Sequence, residues 1–177
     1  MSASDPCANA RRAIQTRDFI SWRGFPSDCT ATDLFPTLPA LPSDPAERPV
    51  RPLGEDFQPA VFQVLDLPGY YRPTVSFRDD KLVLFDAMNP DITGGFAPLE
   101  ADLGAPAARL DWYYGTLEMP AGEWIYPARG ITVFLNSTFD RVLHIALYHP
   151  TTLDAYRADL RPHLRKRMRP LPASKLP

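Results

Sequence analysis

KLVLFDAMNP at 81–90 and RVLHIALYHP at 141–150 decide how this 177-residue chain reads. Each stretch opens on a base, runs through mostly apolar residues and ends in a residue followed by proline. They align without a gap at an offset of 60, Lys81 onto Arg141 and Pro90 onto Pro150. Apolar runs of this length, closed by a residue that cannot continue a ladder, read as strands. Working outward, Thr74-Val75 matches Thr132-Val133 at an offset of 58, and Leu53-Gly54 matches Leu103-Gly104 at an offset of 50. Offsets that change only inside expected turns are what an internal duplication leaves. The expected fold class is therefore α+β: two helix-plus-antiparallel-meander units, 6–90 and 91–150, arranged as a duplication, with a basic C-terminal helix and tail over 151–177.

The local signals agree. AVFQVLDL (60–67), YYRPTVSF (70–77) and KLVLFDA (81–87) read as strands, with Pro68-Gly69 and Arg78-Asp79-Asp80 as the turns between them. RLDWYYG (109–115), EWIYPA (123–128), ITVFLN (131–136) and RVLHIALYH (141–149) form the second set. Helices are expected over 6–22, where Ala10, Ala13, Ile14, Phe19 and Ile20 fall roughly on one face, and over 98–104, between Pro98 and Gly104. Thr30 and Asp33 stand in capping-box spacing before a short helical turn, and Thr151 and Asp154 do so before the last helix. In that helix Leu153, Tyr156, Leu160 and Leu164 make an apolar stripe, and Pro162 predicts a kink or restart.

Length and composition fit a single compact domain over 1–177. With 19 basic and 21 acidic side chains the net charge is −2, which excludes a globally basic nucleic-acid binder. The 21 prolines concentrate at 36, 39, 42, 45, 49 and 52, where neither a helix nor a central strand continues. That segment reads as an extended connector in preference to a polyproline ligand, although Pro36-Thr37-Leu38-Pro39 matches PxxP literally. The N-terminus shows no apolar run of signal-peptide length and no window approaches a membrane span, so a cytoplasmic protein with two free thiols, Cys7 and Cys29, is expected.

A small α unit followed by a meander resembles the BamE/SmpA proteins and the tandem β-lactamase-inhibitor proteins. The residues are Gly24-Phe25 with Cys29-Thr30-Ala31-Thr32-Asp33-Leu34, similar to the G-x-T-x-x-x-V/L helix entry, and Leu103-Gly104-Ala105-Pro106, similar to the LG-x-P turn. Val75-Ser76-Phe77 and Lys81-Leu82 resemble the closing hairpin. The proline-rich connector and the extra C-terminal helix depart from that pattern. The resemblance implies a non-enzymatic module that binds another protein across its sheet, and small bacterial immunity proteins of toxin systems share the layout. Fold likeness is an association, so function must rest on a site.

No GxSxG elbow, phosphate-cradling glycine loop or zinc spacing occurs, so no catalytic residue, metal or cofactor is expected. His144 and His149 would point to opposite faces of one strand and cannot share a metal there. The densest chemical signal is aromatic: Trp112, Tyr113 and Tyr114, then Trp124, Tyr126 and Arg129, with Tyr71 and Arg72 echoing them in the first half. Trp, Tyr and Arg concentrate energy at protein interfaces. An acidic, aromatic sheet face would occlude a basic partner such as a toxin or nuclease, with self-association as a further option. The alternative is a small-ligand-binding protein or an enzyme with a pocket between sheet and helix using Asp111, Glu123 and His149. A third reading is nucleic-acid contact through Arg157, Arg161, Arg165, Lys166, Arg167, Arg169 and Lys175, although no aromatic residue interleaves with the bases of 157–175.

Overall fold

The computed structural model describes residues 5–51 and 60–165. Eight antiparallel strands form one sheet: β1 (Val50–Arg51), β2 (Ala60–Val64), β3 (Tyr71–Arg78), β4 (Lys81–Met88), β5 (Ala108–Tyr114), β6 (Leu117–Tyr126), β7 (Ile131–Leu135) and β8 (Val142–Leu147). Their order is β1-β2-β3-β4-β8-β7-β6-β5, so two four-stranded meanders meet side by side at β4 and β8. Those are the strands of the two aligned decapeptides. Their register sets Asp86 opposite Ala146, residues the offset of 60 equates. Thr74 lies beyond Asp86 on β3 and Thr132 beyond Ala146 on β7, so Thr74, Asp86, Ala146 and Thr132 form one row across the centre.

Both faces of the sheet are covered. On one lie α1 (Pro6–Thr16), α2 (Ala31–Leu34), α3 (Phe96–Leu103) and the loop after α1. They bury Val75, Phe85, Trp124, Val133, Ile145 and Leu147 against Ile14, Phe19, Phe25, Phe35 and Leu99. The other face carries Leu84, Ile125, Phe134 and Ala146 under the C-terminal helix, which contributes Tyr156 and Leu164. This helix, α4, spans 153–165 as an α-turn (Leu153–Ala155), a π-turn (Tyr156–Leu160) and an α-helical end (Arg161–Arg165). Pro162 has no N–H and its ring crowds the preceding turn. The wider π-turn, in which the Arg161 N–H reaches the Tyr156 carbonyl, precedes it without a break in the helix.

The first helix stops earlier than the expected 6–22. Arg17 turns left-handed at φ 56°, and its N–H returns to the carbonyls of Ala13 and Ile14. Its guanidinium binds the carbonyls of Asp91 and Pro68, which anchors the turn and sends Phe19 and Trp22 into the core. Cys7 and Cys29 are bonded to each other with Cα atoms 5.6 Å apart, which corrects the expectation of two free thiols. Two contacts bring them together: α1 packs on α2, and Arg11 on α1 donates to the Asp33 carbonyl. β6 begins six residues before the expected 123, and the connector contains a 3-10 turn (Pro45–Glu47) followed by β1. Leu53-Gly54 and the bases at 166, 167, 169 and 175 lie outside the described residues.

Candidate functional site

The sheet face under α4 is unusually polar for a core. Thr74, Ser76, Asp86, Glu123, Thr132 and His144 are each no more than 1% exposed, and the ladder register places all six on this face. Burying such groups is costly unless they are paired. The Arg161 guanidinium grips both oxygens of Glu123 at 2.8–3.0 Å, and the Tyr156 hydroxyl donates to Oε1 at 2.9 Å. Burial alone would lower the Arg161 affinity for its proton, but the carboxylate outweighs it and the guanidinium is held more firmly charged. Tyr148 and Thr132 share a hydrogen bond of 2.8 Å, and burial drives the Tyr148 and Tyr156 hydroxyls well above their ordinary range. His144 Nε2 lies 3.4 Å from Asp86 Oδ1, within ion-pair reach but outside hydrogen-bond geometry, with its ring stacked on Phe134.

The pocket candidates separate. The Arg161 side chain joins Glu123 to the Asp111 carbonyl, so these two acids are neighbours. His149 belongs to the opposite side, where Nδ1 meets the Phe25 carbonyl at 3.0 Å and its ring packs on Phe25. Asp111 is exposed and its carboxylate accepts the Ala121 N–H. The three therefore do not converge, and Glu123 is already saturated by donors from α4.

The aromatic candidates divide between core and surface. Trp112, Trp124 and Tyr126 are 3–4% exposed. Trp124 lies under the Arg109 guanidinium, which sits 3.9 Å from the ring. Burial raises the Tyr126 hydroxyl to about 12. Trp112 donates to the Leu135 carbonyl at 3.0 Å across the second face. The β5–β6 ribbon carries an irregularity between Leu110 and Trp112, opposite Ala121 at φ 52°, and Gly122 sits against the indole. A Cβ at Gly122 would lie 2.6 Å from Trp112 Nε1. The ribbon thereby curls over the sheet, as bulged strands do. Arg129 is structural: it binds the carbonyls of Trp22 and Asp102 and the Asp102 carboxylate, which its hydrogen bond holds below the usual range.

The remaining four gather at one end of the sheet. Tyr71 pairs with Met88, and the next residue, Asn89, donates from Nδ2 to the Tyr114 hydroxyl at the tip of the curled ribbon. Tyr113 is half-buried and donates to Glu118 at 3.3 Å, and the negative charge of Glu118 raises its hydroxyl. Tyr71 is 51% exposed, and the Arg72 guanidinium covers its ring at 5.2 Å. Arg72 holds φ 50°, a conformation most side chains avoid, where the β3–β4 register shifts between Tyr71 and Thr74. Leu117, 61% exposed, lies at the same ribbon tip.

Sequence reasoning did not find Asn89 or Leu117, and it placed Tyr156 only in an apolar stripe and Arg161 only among the bases of a nucleic-acid contact, whereas the structure joins both to Glu123. No family model matches the chain. Neither a curated protein nor a solved structure matches it. Among the described residues no helix is long and apolar enough to cross a membrane, and no group of three or more His, Cys, Asp or Glu side chains is placed to hold a metal.

Proposed function

We propose that this chain is a non-enzymatic protein-binding module whose contact surface is the sheet end formed by Tyr71, Arg72, Asn89 and the ribbon tip at Tyr113–Glu118. Its most concrete form is a toxin-neutralising or inhibitor-like protein. The observation that carries this reading is the Tyr71–Arg72 pair: a half-exposed ring under a guanidinium, presented by a strained residue at a strand irregularity. Backbone strain held by the surrounding fold supports a functional role, and Tyr and Arg are the residue types that anchor interfaces. Because helices and the ribbon cover both sheet faces, the contact is assigned to the sheet end and not to a face. The acidic balance of residues 1–150, with 12 bases against 19 acids, favours a basic partner.

The direct test is calorimetric titration against the product of the adjacent gene. Tyr71→Ala and Arg72→Ala should each weaken binding about 30-fold, the size of a hot-spot loss near 2 kcal/mol. Absence of binding by the folded wild-type chain, or wild-type affinity in both variants, overturns the proposal. On compartment, the cytoplasmic expectation now stands beside a disulfide, and disulfides persist chiefly in oxidising environments. Quantifying free thiols in protein taken rapidly from its native cell under acid quench distinguishes the two.

A further inference from the structure

Between α1 and the loop 18–26 runs an open groove of about 650 Å³, inside the range of small-ligand and short-peptide sites. Asn9, Arg12 and Thr16 form the helical wall, and Ile20, Ser21 and Arg23 form the loop wall. The loop is held from behind. The Trp22 indole is buried and donates to the Gly130 carbonyl, and the Ser21 N–H donates to the Asp102 carboxylate that Arg129 grips. Gly24 lies against Pro150, where a Cβ would come within 2.5 Å of the proline ring. These contacts fix Ser21 at φ 65° and leave Ile20 49% exposed in the groove.

The charges in the groove are unevenly matched. Arg12 hydrogen-bonds only the neutral Asn9 side-chain oxygen, at 3.1 Å, while Arg23 hydrogen-bonds the Trp22 carbonyl, at 2.9 Å, and its charge also acts at longer range on Asp102 behind the loop. Among the described residues neither guanidinium has a carboxylate within ion-pair distance. The groove's own acid, Asp18, is turned to the Ile20 N–H. Two cations on opposite walls, with an exposed apolar side chain on one of them, match a ligand that alternates negative and apolar groups.

We infer that this groove is a second binding site, which takes a short extended acidic peptide with carboxylates on Arg12 and Arg23 and an apolar side chain on Ile20. The walls are preset by the packing behind them, so little ordering cost opposes binding. This site is separate from the Tyr71 surface.

The test is a backbone-amide NMR titration of the full oxidised chain with acetyl-Asp-Leu-Glu-Leu-Asp-amide. The same peptide with Asn and Gln in place of its acids, and inorganic phosphate, serve as comparators. Saturable shifts should centre on Arg12, Thr16, Ile20, Ser21 and Arg23. The double variant Arg12→Gln/Arg23→Gln should raise Kd at least tenfold. Ile20→Ala should raise Kd about threefold, and Tyr71→Ala should leave it unchanged. Equal affinity for the neutral peptide overturns the charge readout. Phosphate binding as tightly as the peptide reduces the groove to a plain anion patch and overturns the peptide assignment. Shifts centred elsewhere overturn the site.

Discussion

At the residue scale the tightest constraint is Glu123, a carboxylate 1% exposed whose charge is balanced by one arginine from α4. Removing one member of a buried pair leaves the other charge uncompensated, at a cost of about 3–5 kcal/mol. Glu123→Gln should therefore shift the urea midpoint down by a loss near 3 kcal/mol. The triple replacement Glu123→Leu/Arg161→Met/Tyr156→Phe should recover most of it, because apolar side chains of similar volume fill the space and no buried hydroxyl is left without its acceptor. A loss under 1 kcal/mol for the single variant would show that water reaches the pair. The sequence singled out Glu123 only as a pocket acid, and Arg161 lies 38 positions later with nothing local to link them. Pairings made by tertiary packing are invisible to spacing rules, which is also why Asn89 was missed. Trp112 and Trp124 illustrate the converse: their aromatic character drew them into the interface candidates, but nothing in the sequence could show that both sheet faces are covered and that both rings are buried.

At the element scale, the disulfide closes a loop of sequence separation 22 between α1 and the entry to α2. Closure of a loop that size removes about 3 kcal/mol of chain entropy from the unfolded state. Cys7→Ser/Cys29→Ser should lower stability by that order and lower the Tm, with faster hydrogen exchange confined first to α1. Uniformly faster exchange across the sheet would instead mean that the bridge supports the whole core. Most of the elements were legible because their periods and prolines were strong. Boundaries were less so: α1 ends at Arg17 because a distant pair of carbonyls, Asp91 and Pro68, captures its guanidinium. The π-turn in α4 was signalled by Pro162, although only as a kink.

At the scale of the whole molecule, buried tyrosines set the alkaline limit. Burial raises Tyr126 to about 12 and holds Tyr148 and Tyr156 higher, while in the unfolded chain all three titrate near 10. Their folded-state proton affinity is the greater, so their stabilising contribution is complete below pH 10 and is lost as pH rises above it. Stability by chemical denaturation should be flat in this respect from pH 8 to 10 and fall steeply between 10 and 12. Tyr148→Phe should reduce the slope. An unchanged slope in that variant would show that its hydroxyl reaches water. The meander pair was legible from KLVLFDAMNP and RVLHIALYHP, and the register adds that the matched residues Asp86 and Ala146 face each other. The sequence did not show that the two units join through these strands, because an apolar run indicates burial without naming its neighbour.

That seam has a consequence for biosynthesis. β4 completes the first meander with one backbone edge unpaired, and its partner β8 is the last strand made among the described residues. The 53 residues between Met88 and Val142 must be added first, which at ordinary translation speeds takes about 3–10 s. Throughout that interval a nascent chain presents Leu82 to Met88 as an open, apolar template. Such edges recruit strands from neighbouring chains, so the growing polypeptide is most vulnerable to aggregation just before β8 emerges.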